Sequence, residues 1–254
     1  MRGGPRGLSP RPGPRLSGAV ATLLTIAVPA YDEEATLEAA VDDALTAGRA
    51  LGEPFEVLVI EDGSTDGTPA LSDRLAEAHP EVRVHHHESN RGFTGAMRSC
   101  ARHAQGTYMF MAPADGQGSF SDLRRFFALR EDYDLIFSMR LERSDSRRRK
   151  VSSGLWYLFL RFLLAYQIPE FSALVFFRLD QIPELPIAIR EDASNYLPLL
   201  YVTAMKSWRR VGVLGIIQHE RRGGQAKGFD LSLTLRTLAE DMKIWWLLRI
   251  RPPR

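Results

Sequence analysis

The sequence predicts an α/β fold with a mainly parallel central sheet flanked by helices, and three observations predict it. From Leu23 to Met139, short apolar, β-branched runs alternate with longer amphipathic stretches, the pattern of repeated strand–helix–strand units. The distinctive polar loops, rich in Asp, Asn, Gly and Pro, all follow such runs, where a strand ends and the chain turns. The 254 residues are 44% hydrophobic and 25% charged, enough to bury the core of one large domain or of a domain with an appendage.

Strands are expected at Leu24–Val28, Phe55–Ile60, Val82–His86, Tyr108–Met111 and Leu135–Ser138, with helices beginning near Glu33, Thr68, Gly92 and Ser121. Right-handed crossovers between parallel strands would bring the C-terminal strand ends to one edge, where ligands bind in open α/β sheets. The second half reads differently. It holds a basic stretch from Arg140 to Lys150, an aromatic and aliphatic run from Leu155 to Tyr166, a strand-like run from Ala173 to Arg178 and a long amphipathic C-terminus.

Composition removes several function classes. Cys100 is the only cysteine, which rules out an intramolecular disulfide and zinc sites built on several cysteines, and fits a reducing compartment. On a helix it reads as a buried residue. The net charge is +2, and no nucleic-acid-binding module accompanies the basic clusters, so no nucleic-acid partner is expected. Neither a P-loop nor the G-x-G-x-x-G dinucleotide fingerprint is present, and no nucleophile elbow supports a serine triad. His85, His86 and His87 are consecutive; alternating faces of a strand keep three adjacent imidazoles from one ion.

Four loops carry the chemistry. The first strand runs into Val28-Pro29-Ala30-Tyr31-Asp32-Glu33-Glu34, where proline ends pairing and acids sit at a helix start, a favourable place for negative charge. The second runs into Glu61-Asp62-Gly63-Ser64-Thr65-Asp66-Gly67-Thr68, whose glycines permit sharp turning beside the first loop. The third loop, Asn90-Arg91-Gly92-Phe93-Thr94-Gly95-Ala96, opens a helix whose exposed amides suit an anion. The fourth is Ala112-Pro113-Ala114-Asp115-Gly116-Gln117.

Together these loops resemble those of family 2 glycosyltransferases: P-x-Y-[DN]-E, then [DE]-D-G-S-x-D-G-T, N-x-G-x-x-x-A and D-A-D-G-Q. The resemblance covers roughly residues 22–228 and implies the GT-A fold, a Rossmann-like nucleotide-diphospho-sugar transferase domain. It implies a UDP- or GDP-sugar donor whose base and ribose meet Pro29, Tyr31, Glu33 and Asp62, with Arg91 adding charge near the pyrophosphate. Ring N–H groups and ribose hydroxyls are donors, and carboxylates are the matching acceptors. Gly63 and Asp66 are expected to shape their loop. In the fourth loop Pro113 replaces the first acid of the D-x-D element, while Asp115 matches the acid that coordinates a divalent metal, Mg2+ or Mn2+, in a shell completed by water and phosphate oxygens. The implied activity is metal-assisted inverting sugar transfer. The alternative, supported by Pro113, is a nucleotide-sugar-binding or assembly module that retains the fold with weakened catalysis.

The segment Ile168–Arg178 resembles an acidic-residue, strand and Arg element of the polyprenyl-phosphate sugar synthase branch, and His219–Lys227 resembles that branch's closing loop. The resemblance implies that Arg178, Arg221, Arg222 and Lys227 meet diphosphate or acceptor phosphate, and that His219 joins the metal. Glu191-Asp192 resembles an E-D pair that supplies a base, so Asp192 is the candidate base for a hydroxyl acceptor. The same acids would cap a helix beginning near Ala193. A polyprenyl-phosphate acceptor is already ionised and needs no strong base.

Arg140, Arg143, Arg147, Arg148, Arg149 and Lys150 precede LWYLFLRFLLAY, an order that suits anionic headgroups followed by shallow insertion. Twelve residues interrupted by Arg161 fall short of the roughly 20 needed to span a bilayer. These readings make residues 1–18 a disordered basic tail, 19–228 the GT-A domain with the basic and amphipathic segment 140–166 inside it, and 229–254 an amphipathic helix. AVATLLTIAVPA is read as the first strand rather than a signal segment, because YDEE directly continues its motif. The expected location is cytoplasmic, at the inner face of the cytoplasmic membrane.

Overall fold

The computed structural model describes residues 22–142, 171–185, 196–207 and 209–217. Strands β1 (Leu24–Ala30), β2 (Phe55–Glu61), β3 (Val82–His86) and β4 (Tyr108–Met111) alternate with helices α1 (Leu37–Leu51), α2 (Thr68–Ala78) and α3 (Gly92–His103). A 3-10 turn at Phe120–Asp122 leads into α4 (Leu123–Ala128) and β5 (Leu135–Glu142). Beyond these lie β6 (Phe171–Arg178), α5 (Tyr196–Lys206) and β7 (Val211–Ile217). The described strands form one sheet in the order β3-β2-β1-β4-β6-β5-β7. Pairings β1–β2, β1–β4, β2–β3 and β5–β7 are parallel, and β6 runs antiparallel to both β4 and β5.

This is the mainly parallel α/β architecture that the alternating pattern predicts. Every residue of β1 and β4 is buried, as expected of strands covered on both faces. One face packs Leu58, Ile60, Met109, Met111, Phe137 and Val175 against α3 and α5. The other packs Ile26, Val28, Val57, Val59, Phe110 and Phe176 against α1, α2 and α4. Helix α1 offers Leu37, Val41, Ala44, Leu45 and Gly48 to that core, the 3.6-residue period of an amphipathic helix. It stops at Gly52, whose φ of 72° closes the helix with an N–H bond to Arg49 O, a conformation glycine adopts without Cβ strain.

Three expectations need correction. Helix α1 begins at Leu37 rather than near Glu33, because Glu33–Thr36 form a turn tied to the neighbouring loop. Strand β7 carries two glycines and was not among the expected strands; Gly212 and Gly215 lie against Tyr133 and Leu141, where added methyl groups would collide. Strand β6 begins two residues before the expected strand-like run and lies antiparallel to both neighbours, a direction on which the sequence pattern is silent. The tail 1–18, the helix 229–254, the start of the helix near Ala193 and the segment from 143 to 166 lie outside the described residues. Among the described residues no helix is long and apolar enough to cross a membrane.

Candidate functional site

The C-terminal ends of the parallel strands border a cavity of about 250 Å³. Pro29, Ala30, Tyr31 and Glu33 line it from the first loop and Asp62 from the second. Asn90, Gly92, Phe93 and Ala96 come from the third loop and the first turn of α3, and Pro113 and Asp115 from the fourth loop. All four sequence-derived loops therefore converge on one place.

The first two loops are laced together. Asp32 N–H donates to Ser64 Oγ at 3.0 Å, and Thr65 N–H donates to Asp32 Oδ1 at 2.8 Å. Glu33 N–H donates to Thr68 Oγ1 at 2.9 Å, and Gly67 N–H to Glu34 Oε2 at 3.0 Å. Asp32 has a φ of 53°, a left-handed conformation that Asp and Asn tolerate best among residues with a side chain. That explains an Asp at this point of the motif without any ligand contact. Asp66 shapes its loop as expected: it accepts from Thr68 N–H at 2.9 Å and from Glu34 N–H at 3.2 Å. Burial pushes its carboxyl up, and these hydrogen bonds outweigh that and bring it below the usual value. Gly63 has a φ of 68°, and a Cβ there would meet the backbone of Ser89.

Two of the cavity carboxylates, Glu33 and Asp62, are buried and oriented, and Asp115 is half-buried. Glu33 is 5% exposed and its Oε2 accepts from Thr36 Oγ1 at 2.8 Å. Asp62 is 4% exposed; its Oδ1 lies 2.6 Å from His87 Nδ1 and accepts from Arg91 N–H at 2.9 Å. Next to it Glu61 points away from the cavity, accepting from Ser64 N–H at 2.6 Å and meeting His86 Nδ1 at 3.1 Å. His86 also reaches Asp73 at 2.9 Å. Burial opposes ionisation of both Glu61 and His86, yet the hydrogen bonds prevail, so Glu61 titrates below and His86 above the usual value.

Pro113 fits the sheet for a simple reason. Ala112 N–H donates to Ala27 O and Ala114 N–H to Pro29 O, both at 3.1 Å, so the ladder asks nothing of position 113 and a residue without an N–H costs it no bond. Asp115 Oδ1 accepts from Gln117 N–H at 3.0 Å, forming a turn at Gly116, whose φ is 71°. Among the described residues no group of three or more His, Cys, Asp and Glu side chains is placed to hold a metal ion. Asp115 is a hard carboxylate donor of the kind that Mg2+ or Mn2+ would take, in a shell with water and phosphate oxygens.

Arg178 is not brought to the site. It pairs with Tyr108 at the start of β4 and its Nε donates to Asp180 Oδ1 at 3.0 Å. Five to seven residues separate Tyr108 from Pro113 and Asp115, so at about 3.3 Å per residue Arg178 lies roughly 20 Å from them, on the opposite edge of the sheet. The cause is the reversed direction of β6. Arg91 reaches the site through its N–H on Asp62. Asp192, His219, Arg221, Arg222 and Lys227 lie outside the described residues. The histidines part as alternation requires: His85 stacks on His103, His86 meets Glu61 and Asp73, and His87 meets Asp62 and Ser99. Cys100 is fully buried, and that burial pushes its thiol far up, as for an inert core residue. The links from Asp62 to His87 and from His87 to Ser99 escaped the sequence reading because the paired residues are 25 and 12 positions apart.

The model of the family described as Glycosyl transferase family 2 matches residues 25–180, more than half of the chain and all four loops. The chain belongs to glycosyl transferase family 2. Relatives of this family 2 chain include the undecaprenyl-phosphate 4-deoxy-4-formamido-L-arabinose transferase of Pectobacterium atrosepticum, 24% identical over 213 residues, covering 83% of this chain and 64% of the relative. The dolichyl-phosphate beta-glucosyltransferase of Dictyostelium discoideum is 33% identical over 109 residues, 40% of this chain and 33% of that one. The chain thus spans less than two thirds of these relatives. Among solved structures, the glucosyl-3-phosphoglycerate synthase of Mycobacterium tuberculosis, in complex with Mn2+, UDP-glucose and phosphoglyceric acid, superposes with a TM-score of 0.62 at 16% identity, covering 89% of this chain and 80% of that one. A mannosyltransferase of Pyrobaculum calidifontis, in complex with GDP-mannose and Mn2+, gives a TM-score of 0.59 at 20% identity, covering 91% and 65%. These likenesses establish the GT-A fold.

Proposed function

We propose that this family 2 chain transfers a sugar from a UDP- or GDP-sugar to a polyprenyl phosphate, with a divalent metal at Asp115. The observation that carries the reading is the convergence of Pro29, Tyr31, Glu33, Asp62 and Asp115 on one cavity at the C-terminal strand ends. Glu33 and Asp62 supply acceptors for base N–H and ribose hydroxyl donors, and Tyr31 and Pro29 supply apolar surface for the base. The N-terminal turn of α3, which starts at Gly92 beside the cavity, offers amides to the pyrophosphate, with the guanidinium of Arg91 adding charge. Asp115 would hold the divalent cation, which when bound would supply charge neutralisation for the leaving diphosphate.

The polyprenyl-phosphate acceptor is supported by the relatives named for undecaprenyl and dolichyl phosphates. Its oxygen is ionised before the reaction, so inverting attack on the anomeric carbon demands less of a protein base. With a hydroxyl acceptor Asp192 would serve as that base. Arg221, Arg222 and Lys227 are assigned to phosphate, and the basic stretch to an anionic membrane face on the cytoplasmic side. Pro113, which faces the cavity where the resemblance places an acid, favours a second reading as a nucleotide-sugar-binding module.

The deciding experiment incubates the purified chain with UDP- and GDP-sugars, Mn2+ or Mg2+ and undecaprenyl phosphate, and measures free nucleoside diphosphate and glycolipid together. Metal-dependent formation of both supports the transferase. Donor binding with neither product replaces it by the binding module.

A further inference from the structure

We propose that His87 is a positioning residue for the nucleoside end of the donor, acting by fixing the carboxylate of Asp62. The inference rests on the assignment of this cavity to a nucleotide-sugar.

His87 follows the last residue of β3, and its N–H donates to Glu61 O at 2.8 Å, carrying the ladder one step past the strand. Its side chain is 2% exposed. Both ring nitrogens are engaged: Nδ1 lies 2.6 Å from Asp62 Oδ1, and Nε2 lies 2.8 Å from Ser99 Oγ on α3. An ionised carboxylate only accepts, so Nδ1 carries the proton toward Asp62. In the neutral ring Nε2 then accepts the Ser99 hydroxyl proton, so Asp62 sets the tautomer and Ser99 anchors the far side of the ring in the orientation that serves Asp62. A buried ring with both nitrogens satisfied is rigid, because any rotation strands a polar atom away from water.

The consequence falls on Asp62. Its Oδ1 takes two donors, the His87 imidazole and the Arg91 amide, which come from different elements and together resist rotation of the carboxylate. Asp62 also lines the cavity. Among the described residues Oδ2 takes no hydrogen bond, so it is the oxygen left to accept an N–H or O–H donor of the nucleoside. A pyrophosphate group offers no such donor. The role of His87 therefore concerns the base and ribose and leaves the phosphates untouched, a selectivity that core packing alone does not produce.

The test uses the full chain and compares UDP and GDP with inorganic pyrophosphate, each with Mn2+, by titration calorimetry, alongside thermal midpoints. His87→Leu is expected to weaken the preferred nucleoside diphosphate about 10- to 100-fold, the size of one or two kcal/mol-scale hydrogen bonds to a charged group, with pyrophosphate affinity within about twofold. His87→Asn places an amide N–H near the lost Nδ1–H and is expected to recover most of the nucleotide affinity. Ser99→Ala, which keeps the ring and removes one of its two anchors, is expected to cost a few-fold in nucleotide affinity alone and carries the test should His87→Leu not fold. Equal loss of nucleotide and pyrophosphate, or no loss in either Ser99→Ala or His87→Leu, overturns the role of His87. A wild-type chain that binds neither nucleotide overturns the reading of the cavity, and the role of His87 falls with it.

Discussion

The two edges of the sheet both bury carboxylates, but they hold them with different partners. At the base edge, Glu56 accepts from Thr25 Oγ1 at 2.6 Å, Gln105 N–H at 2.7 Å and Arg83 Nη1 at 2.6 Å. Asp134, before β5, accepts from Arg210, before β7, through Nη2 at 2.7 Å and the backbone N–H at 2.9 Å. Those hydrogen bonds hold the Asp134 carboxyl below its usual range. At the cavity edge, the contacts described for Glu33, Asp62 and Asp115 come from a hydroxyl, an imidazole and backbone amides. Guanidinium groups at the base edge neutralise carboxylates and knit strands together, whereas at Asp62 an imidazole and a backbone amide orient a carboxylate that lines the cavity. The difference separates a fastening from a site.

The sharpest break of this comparison is at Asp115. Asp115→Asn keeps an oxygen for Gln117 N–H but removes the charge, and is expected to lower turnover about 100- to 1000-fold, since metal charge stabilisation is worth several kcal/mol, with the thermal midpoint unchanged. Unaltered turnover would make Asp115 another fastening. The converse change is Glu56→Ala, which strands a buried hydroxyl and a backbone amide and is expected to cost about 3 kcal/mol of stability while the folded fraction binds donor normally. Urea unfolding and donor titration read the two quantities separately.

Smaller effects sharpen the contrast. Asp32→Val forces a β-branched residue into the left-handed region and is expected to cost about 1–2 kcal/mol, while Asp32→Asn is nearly neutral in the same melt. Pro113→Asp adds a second carboxylate facing the cavity and is expected to lower the Mn2+ concentration for half-maximal activity about threefold or more; an unchanged metal requirement would show that one carboxylate suffices. The smallest effect is the pH dependence at His86. Its proton is held more tightly in the folded chain than at the ordinary value of 6.5, so its contribution to stability is complete below pH 6.5 and is lost as pH rises through the raised folded value. Thermal melts should fall across that window, and His86→Asn should flatten the slope.

Much of this was legible from local pattern. β3 and β4 and the starts of α2 and α3 coincide with the expected positions, because each apolar run ends in turn residues that act locally. The four cavity loops were legible for the same reason, as each is a short contiguous motif. What escaped was set by distant partners. The direction of β6 has no signature in PEFSALVFFR, and that reversal alone carries Arg178 to the far edge. β7 contains glycines because Tyr133 and Leu141 occupy the space beside them, which weakens its local strand signal. Helix α1 starts late because Asp32, Glu33 and Glu34 answer to Ser64, Thr68 and Gly67, partners supplied by tertiary structure.

The reversed strand has one more consequence. Because β6 runs against β4 and β5 while β7 runs with β5, the chain leaves β5 at Glu142, enters β6 at Phe171 and leaves β7 at Ile217 on the cavity edge. A segment attached there at both ends can lengthen at small entropic cost, about 0.6 kcal/mol per doubling, without disturbing a strand register. The first two loops are thus anchored to each other by their interlaced hydrogen bonds, while a single change of strand direction brings both ends of the connection between β5 and β6 to the neighbouring rim.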